Sequence, residues 1–305
     1  MEKIRLYWNH ICILHKKEKE FLDQLVEKMK EFHIELEVTC FGLGYGTSMS
    51  KYLEQPDAIL PDIIVSIDLE VFEYAPTYNK IKDDLYDLCK EKRLYHKDLA
   101  SPVYRDEKLL PFIGIPLVYF TNNVEEITNK NVTQIESLSI GGVDNSAIKM
   151  VAKTVWETYG KEEAEKLLEN SVIGAMPIVA FSNVKKSLAK TALVPSIYAM
   201  RADQVSEFLQ VPKEGALLIP SFVCARNTIS YENAITVIQE IVCEELCDFY
   251  VESGNLISFS RNATKESVYR KEEYFTASNA FLQELSEEEF YKMYKKYIPY
   301  AHTPV

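Results

Sequence analysis

Hydrophobic positions recur with two different periods along the first third of the chain. Between Lys19 and Phe32 the apolar residues Phe21, Leu22, Leu25, Val26 and Met29 fall on one face of a 3.6-residue spiral, which predicts a helix. Ile34, Leu36, Val38 and Cys40 then alternate with polar residues, the period of a strand over Ile34–Phe41. Ile4–Asn9 is a strand of the same kind. The run Ile63-Ile64-Val65-Ser66 is apolar without alternation, as in a parallel strand covered on both faces. A glycine-rich loop, Gly42–Ser48, and a helical stretch near Ser50–Gln55 separate the last two strands. This βαβαβ order predicts an α/β fold with a mostly parallel sheet flanked by helices.

Further along, Lys80–Lys92 reads as a charged helix and Leu109–Phe120 as an apolar crossing strand. The polar stretch 122–134 marks a boundary. A new unit opens with strand Ser137–Ile140, turn Gly141-Gly142, a capping group Asp144-Asn145-Ser146, and helix Ala147–Tyr159 ended by Gly160. Helix Lys161–Glu169 follows. Ser171–Phe181 and Ala192–Met200 are strand-like, with a helical stretch Asn183–Lys190 between them. After a turn at Pro212–Gly215, Ala216–Val223 is a strand and Ser230–Tyr250 one long amphipathic helix. The tail Glu287–Tyr300 reads as a peripheral helix packed through Phe290, Tyr291, Met293 and Tyr294.

Composition narrows the function classes. Across 305 residues, 34 Lys and Arg stand against 46 Asp and Glu, a net charge of −12, with 47% apolar residues. The apolar share excludes global disorder. The acidic balance argues against nucleic-acid partners, which are held by clustered cations. The densest basic cluster, Lys16, Lys17 and Lys19, is interleaved with Glu18 and Glu20 and reads as a solvated helix face. The longest uncharged stretches, Leu109–Val124 and Asn170–Val184, fall short of the ~20 residues of a spanning helix, so no membrane span is expected. Asn9 and His10 interrupt the only apolar run near the N-terminus, and no signal-peptide pattern is present. The expectation is a cytoplasmic chain as given, or an extracytoplasmic one if a leader has been removed. The 6 cysteines form no CxxC pair and read as reduced, mostly buried thiols, with Cys243 and Cys247 on one helix face.

Candidate chemistry gathers in the loops after strand ends, where open α/β sheets bind ligands. These are Asn9-His10, Gly42–Ser48, Ser66-Ile67-Asp68 and Gly141–Ser146. In the last, Asp144, Asn145 or Ser146 is placed to cap a helix, and the freed N–H groups make either an anion site or a plain structural cap. Gly42–Ser48 lacks the Lys-Ser/Thr of a P-loop and the spacing of a dinucleotide fingerprint. His10, Cys12 and His15 match no zinc spacing. No Gly-x-Ser-x-Gly elbow offers a nucleophile, and Asp83-Asp84 and Glu125-Glu126 read as surface pairs. No cofactor, metal or catalytic residue is called for.

The segment Ser139–Ser146, the helix to Tyr159-Gly160, and Glu163-Ala164 with Leu167-Leu168-Glu169-Asn170 together resemble the second-lobe opening of type II solute-binding proteins of ABC transporters, in their iron and thiamine-like branch. Pro212–Pro220, Asn227 and the helix from Tyr231 are similar to that family's return strand into lobe one. The resemblance implies two α/β lobes, 1–116 plus 216–305 and 117–215, with a small-molecule ligand held in a cleft that closes by a hinge. Carried over by position, it assigns Asn9, His10, Gly44, Tyr45, Gly46, Thr47, Ser66 and Asp68 to the ligand from lobe one. Asn145 and Ser146 come from lobe two. Tyr198, Cys224, Arg226 and Asn227 come from the return segments, with Arg226 facing an anionic group. It also implies an ABC transporter permease as partner. Iron-binding members use adjacent tyrosines, whereas Tyr198 stands between Ile197 and Ala199. The alternative is a cytosolic enzyme on the same scaffold, with His10, Cys40 or Cys224 carrying the chemistry.

Overall fold

The structure is a computed structural model that describes residues 1–42, 44–143, 146–203 and 205–299, with Cys12 described through its backbone alone. In chain order its main elements are strand β1 (Glu2–Asn9), helix α1 (His15–Glu31), β2 (Ile34–Phe41), α2 (Met49–Glu54), β3 (Ile63–Ser66) and β4 (Leu110–Thr121). Then come β5 (Leu138–Gly141), α3 (Ser146–Tyr159), α4 (Lys161–Asn170), β6 (Val172–Gly174), α5 (Pro177–Lys185), β7 (Thr191–Pro195) and β8 (Phe208–Gln210). The chain continues through β9 (Ala216–Ala225), α6 (Tyr231–Ile241), α7 (Glu244–Gly254) and α8 (Glu287–Tyr297). Contacts divide it into unit 1, residues 1–113, 220–253 and 258–266, and unit 2, residues 114–219, 254–257 and 267–305.

In unit 1, β1 pairs in parallel with β2, from Glu2↔Ile34 to Asn9↔Phe41, and with β3. The expected three-strand parallel start is therefore present. β9 runs antiparallel to β3, with Ile63 opposite Ala225 and Ser66 opposite Phe222. α1 buries Leu22, Leu25 and Met29, the stripe its periodicity predicted, and begins four residues earlier than expected, at His15. Trp8 packs edge-on to Phe112, which packs edge-on to Tyr250, a buried aromatic run beneath the sheet.

In unit 2, β5 runs parallel to β7 and β6, while β7 and β8 run antiparallel to β4. Phe120 stacks on Phe181 of α5 at 4.3 Å between ring centroids. The tail helix α8 buries Phe290, Tyr291, Met293 and Tyr294. Its partners lie in unit 2: Phe290 lies 6.4 Å from the Trp156 ring and the Tyr294 hydroxyl donates to the Val143 carbonyl at 3.0 Å. The tail thus groups with unit 2, whereas the sequence reading assigned all of 216–305 to the first lobe.

Five further elements differ from expectation, the first being the helix expected over Asn183–Lys190, whose place is taken by the end of α5 at Lys185. Lys80–Lys92 is no helix but two short turns, Lys82–Asp84 and Leu88–Lys90, because Tyr86 N–H donates to the Ala225 carbonyl and Leu85 bridges Arg226. The strand expected over Ser171–Phe181 stops at Gly174, and Pro177, whose fixed φ suits a first helical turn, opens α5. Similarly, Ala192–Met200 is strand only to Pro195, then a helical turn Ser196–Ala199. Ser230–Tyr250 is two helices. The Val242 carbonyl at their junction accepts from Ser260 Oγ at 2.8 Å and Asn262 Nδ2 at 3.0 Å, which diverts it from a helical partner.

Candidate functional site

Because β1, β2 and β3 are parallel, their carboxyl ends meet at one edge of the unit 1 sheet. Asn9 and His10 follow β1, Gly42 to Ser48 follow β2, and Ser66 closes β3. Gly42 makes the close approach possible. Its φ is +114°, and an added Cβ would sit 3.0 Å from the His10 carbonyl oxygen. His10 N–H donates to the Phe41 carbonyl at 2.9 Å, locking the two strand ends together.

Asp68 organises the next part. Its Oδ2 accepts the Ser50 backbone N–H at 3.0 Å and the Ser50 hydroxyl at 2.7 Å. Ser66 Oγ in turn accepts the Asp68 N–H at 2.9 Å. Ser48 caps α2 by accepting from Lys51 N–H. The Gly44-Tyr45-Gly46 segment is exposed and Thr47 half-buried, its hydroxyl donating to the Ser48 carbonyl. Asn9, His10, Thr47, Ser66 and Asp68 thus belong to one strand-end edge.

Beneath this edge lies a buried cluster that the sequence reading missed. Glu18, expected on a solvated face, is fully buried while Lys16, Lys17, Lys19 and Glu20 remain exposed. Three donors converge on its carboxylate: His10 Nδ1 at 2.8 Å, Ile11 N–H at 2.9 Å and the Tyr250 hydroxyl at 2.6 Å. Tyr45 stacks on the His10 ring, centroids 5.4 Å apart and planes 11° off parallel. Burial, the largest influence on His10, favours its neutral form. The Cys40 thiol and the Glu18 carboxylate outweigh it and push the imidazole up to about 9. The only sequence signal for Glu18 was its position one turn before the Leu22–Leu25 stripe.

The return-strand residues lie elsewhere. Since β9 is antiparallel to β3, its carboxyl end sits beside the start of β3. Arg226 N–H donates to the Asp62 carbonyl, and its guanidinium bonds Asp84 at 2.9 Å. Asn227 N–H donates to the Asp84 carbonyl at 2.7 Å. Both are therefore at the opposite edge from Asn9 and Ser66. Cys224 is buried near the end of β9 opposite Ile64, where burial pushes its thiol well up. At the level of Ser66, β9 instead presents Phe222 and then the buried Ser221.

In unit 2 the carboxyl ends of parallel β5 and β7 meet in the same way. Ser146 opens α3 and is buried; Asn145, named with it, lies outside the described residues, as does Asp144. Tyr198, in the turn after β7, is buried with Arg201 over its ring at 5.9 Å. Ser196 Oγ donates to the Gly254 carbonyl at 2.7 Å. Gly141 ends β5 against the Met176 carbonyl, where a Cβ would approach to 2.2 Å. Among the described residues no group of three or more His, Cys, Asp or Glu side chains is placed to hold a metal ion.

Neither a protein-family model nor a curated protein matches the sequence. Solved structures do. Apo ferric ion-binding protein A of Pasteurella haemolytica superposes with a TM-score of 0.73 over 98% of each chain, at 12% identity. The fold is that of a type II periplasmic binding protein. The ferric binding protein from Campylobacter jejuni gives a TM-score of 0.71 at 13% identity, over 96% of this chain and 99% of that one. A Trichodesmium protein, IdiA (FutA), in complex with iron and citrate gives 0.69 at 14% identity, over 97% and 99%. Chains this divergent share an architecture; the ligand is a property of the side chains grafted on it. No described helix of the type II binding-protein fold in this chain is long and apolar enough to cross a membrane.

Proposed function

We propose that this chain is a non-catalytic solute-binding protein of the kind that serves ABC transporters. The observation that carries the proposal is the collection of hydroxyl, amide and carboxylate groups at the carboxyl ends of parallel strands in a fold shared with ferric ion-binding proteins. The proposed ligand contacts are Asn9, His10, Gly44, Tyr45, Gly46, Thr47, Ser66 and Asp68 from unit 1. From unit 2 they are Asn145, Ser146 and Tyr198. Cys224, Arg226 and Asn227 have a weaker claim, since Arg226 is engaged by Asp84 and sits at the far edge of its sheet. The ligand proposed is a small polar solute, and the location extracytoplasmic, with a transporter permease as receiver. Direct ferric capture is not part of the proposal, because Tyr198 lacks an adjacent tyrosine.

A binder of the folded state raises its melting temperature by mass action. Screening carboxylates, oxyanions, amines, metal chelates and cofactor fragments is expected to give one chemical class that stabilises the protein and is recovered unchanged. Ser146→Trp, which puts a bulky side chain at the proposed contact, is expected to abolish that stabilisation. Full stabilisation of the Ser146→Trp protein would move the site, and conversion of the compound to product would replace the proposal with an enzyme.

A further inference from the structure

The two ring nitrogens of the buried His10 side chain have different surroundings. Nδ1 lies 2.8 Å from Glu18 Oε2, whereas Nε2 is enclosed and has no hydrogen-bond partner. Buried polar atoms are almost always paired, so an unpaired ring nitrogen at a strand-end edge points to a partner supplied from outside the chain.

Glu18 decides what Nε2 presents to that partner. Both of its carboxylate oxygens accept: Oε2 from His10 Nδ1 and Ile11 N–H, Oε1 from the Tyr250 hydroxyl. An acceptor at both oxygens is an ionised carboxylate. Glu18 and His10 form an ion pair with both side chains fully buried, and among the described residues no lysine or arginine joins them. A buried carboxylate needs a cation beside it, and here only the imidazole can take that part. In keeping with this, His10 is pushed up to about 9, so at neutral pH both of its nitrogens carry hydrogen.

The remaining titratable groups around the pair are the Cys40 thiol from β2, the Tyr45 hydroxyl from the following loop, and the Tyr250 hydroxyl from α7. Asp68, farther along the edge, is engaged by Ser50. Tyr45 lies flat against the imidazole and is itself 39% exposed. A Cβ added at Gly44 or Gly46, on either side of it, would meet no atom within 4 Å. The covering ring is therefore free to turn outward without displacing packed neighbours.

We propose that His10 is the anion-recognising residue of this edge: as a buried imidazolium it donates its Nε2 hydrogen to an oxygen of a small carboxylate or oxyanion, admitted as Tyr45 swings aside. The inference rests on the solute-binding reading and narrows its ligand from polar solutes to anions. A charged donor makes the stronger kind of hydrogen bond with an anionic oxygen. A metal ion on this nitrogen would need the lone pair that the hydrogen occupies, so His10 is no metal ligand at neutral pH.

The test uses the full chain and three probes, citrate, inorganic phosphate and sulfate, against sodium chloride at equal ionic strength. Nitrogen NMR at about pH 7 is expected to show hydrogen on both His10 nitrogens, and at least one probe to shift Nε2 while raising the melting temperature. A response to citrate alone identifies a carboxylate; a response to phosphate or sulfate identifies an oxyanion. The apparent dissociation constant of that probe is expected to rise about tenfold per pH unit above about pH 9. In Glu18→Gln the rise begins at lower pH, which a purely structural role for Glu18 would not produce. Should that variant fail to fold, the wild-type NMR and pH profile decide alone. A neutral His10 at about pH 7, no response to any of the three anions, or affinity unchanged at about pH 10 overturns the inference. Stabilisation by an amine or a neutral solute with Nε2 unmoved overturns it as well but leaves the solute-binding reading standing; no stabilisation by any compound class removes both.

Discussion

Glu18 and Tyr250 lie 232 positions apart in the chain and share a buried 2.6 Å hydrogen bond. The contact ties α1 to the segment Pro220–Ser253 by which the chain returns to unit 1, and it fixes the carboxylate that orients His10. Removing the donor leaves a buried acceptor short of one partner. Tyr250→Phe is expected to cost about 2 kcal/mol, the usual loss for a bond to a charged group. Glu18→Ala, which strands three donors at once, is expected to cost about 4 kcal/mol. Urea unfolding followed at Trp8, packed beside this cluster, reads both; equal small losses would show that the carboxylate is not the hub.

Stability depends on pH through the same cluster. The folded His10 is raised to about 9 from an ordinary value of 6.5, so folding takes up a proton between those limits. Its contribution is complete below about pH 6.5 and is lost as pH rises through about 9. The urea midpoint of the wild type is expected to fall across that window, and His10→Gln to flatten the fall. A midpoint that rises there would contradict the pairing with Glu18.

At the strand-end edge, Asp68 holds Ser50 through two hydrogen bonds. Asp68→Ala is expected to weaken the solute that best stabilises the wild type by about tenfold, the worth of one charge-assisted bond. The circular dichroism spectrum should stay native. Unchanged affinity with intact fold would remove Asp68 from the proposed contacts.

In unit 2, Gly141 leaves no room for a methyl group, with the Met176 carbonyl 2.2 Å from any Cβ. Gly141→Ala is expected to cost about 3 kcal/mol by forcing β5 from the chain before α5. Thermal melting compared with Gly46→Ala, a position with open space around it, provides the control. Similar melting temperatures for the two variants would refute the packing argument.

The tail helix should report the same way. Phe290 is buried and sits against Trp156, Tyr291 and Tyr294. Phe290→Ala is expected to cost about 4 kcal/mol through the cavity it leaves. Fluorescence of Trp156, separable from Trp8 by a Trp8→Phe background, should show unit 2 loosening first.

The sequence by itself determined the parallel start of the chain, the amphipathic face of α1, and the boundaries of β2 and β3. It determined the buried face of the tail helix as well. These are local properties: side-chain period and turn residues act over a few positions, so they are written where they operate. The same locality explains the misplaced elements. Lys80–Lys92 had a helical composition, but the Ala225 carbonyl, far away in sequence, claimed Tyr86 N–H; Ser260 and Asn262 claimed the Val242 carbonyl in the same way. Only the tertiary structure decided that Glu18, one acid in a charged run, turns inward. Only the antiparallel insertion of β9 put Arg226 at the edge opposite Asn9. A backbone group or carboxylate satisfies its hydrogen bonds with whatever the fold brings near it, and those partners have no signature in the neighbouring residues.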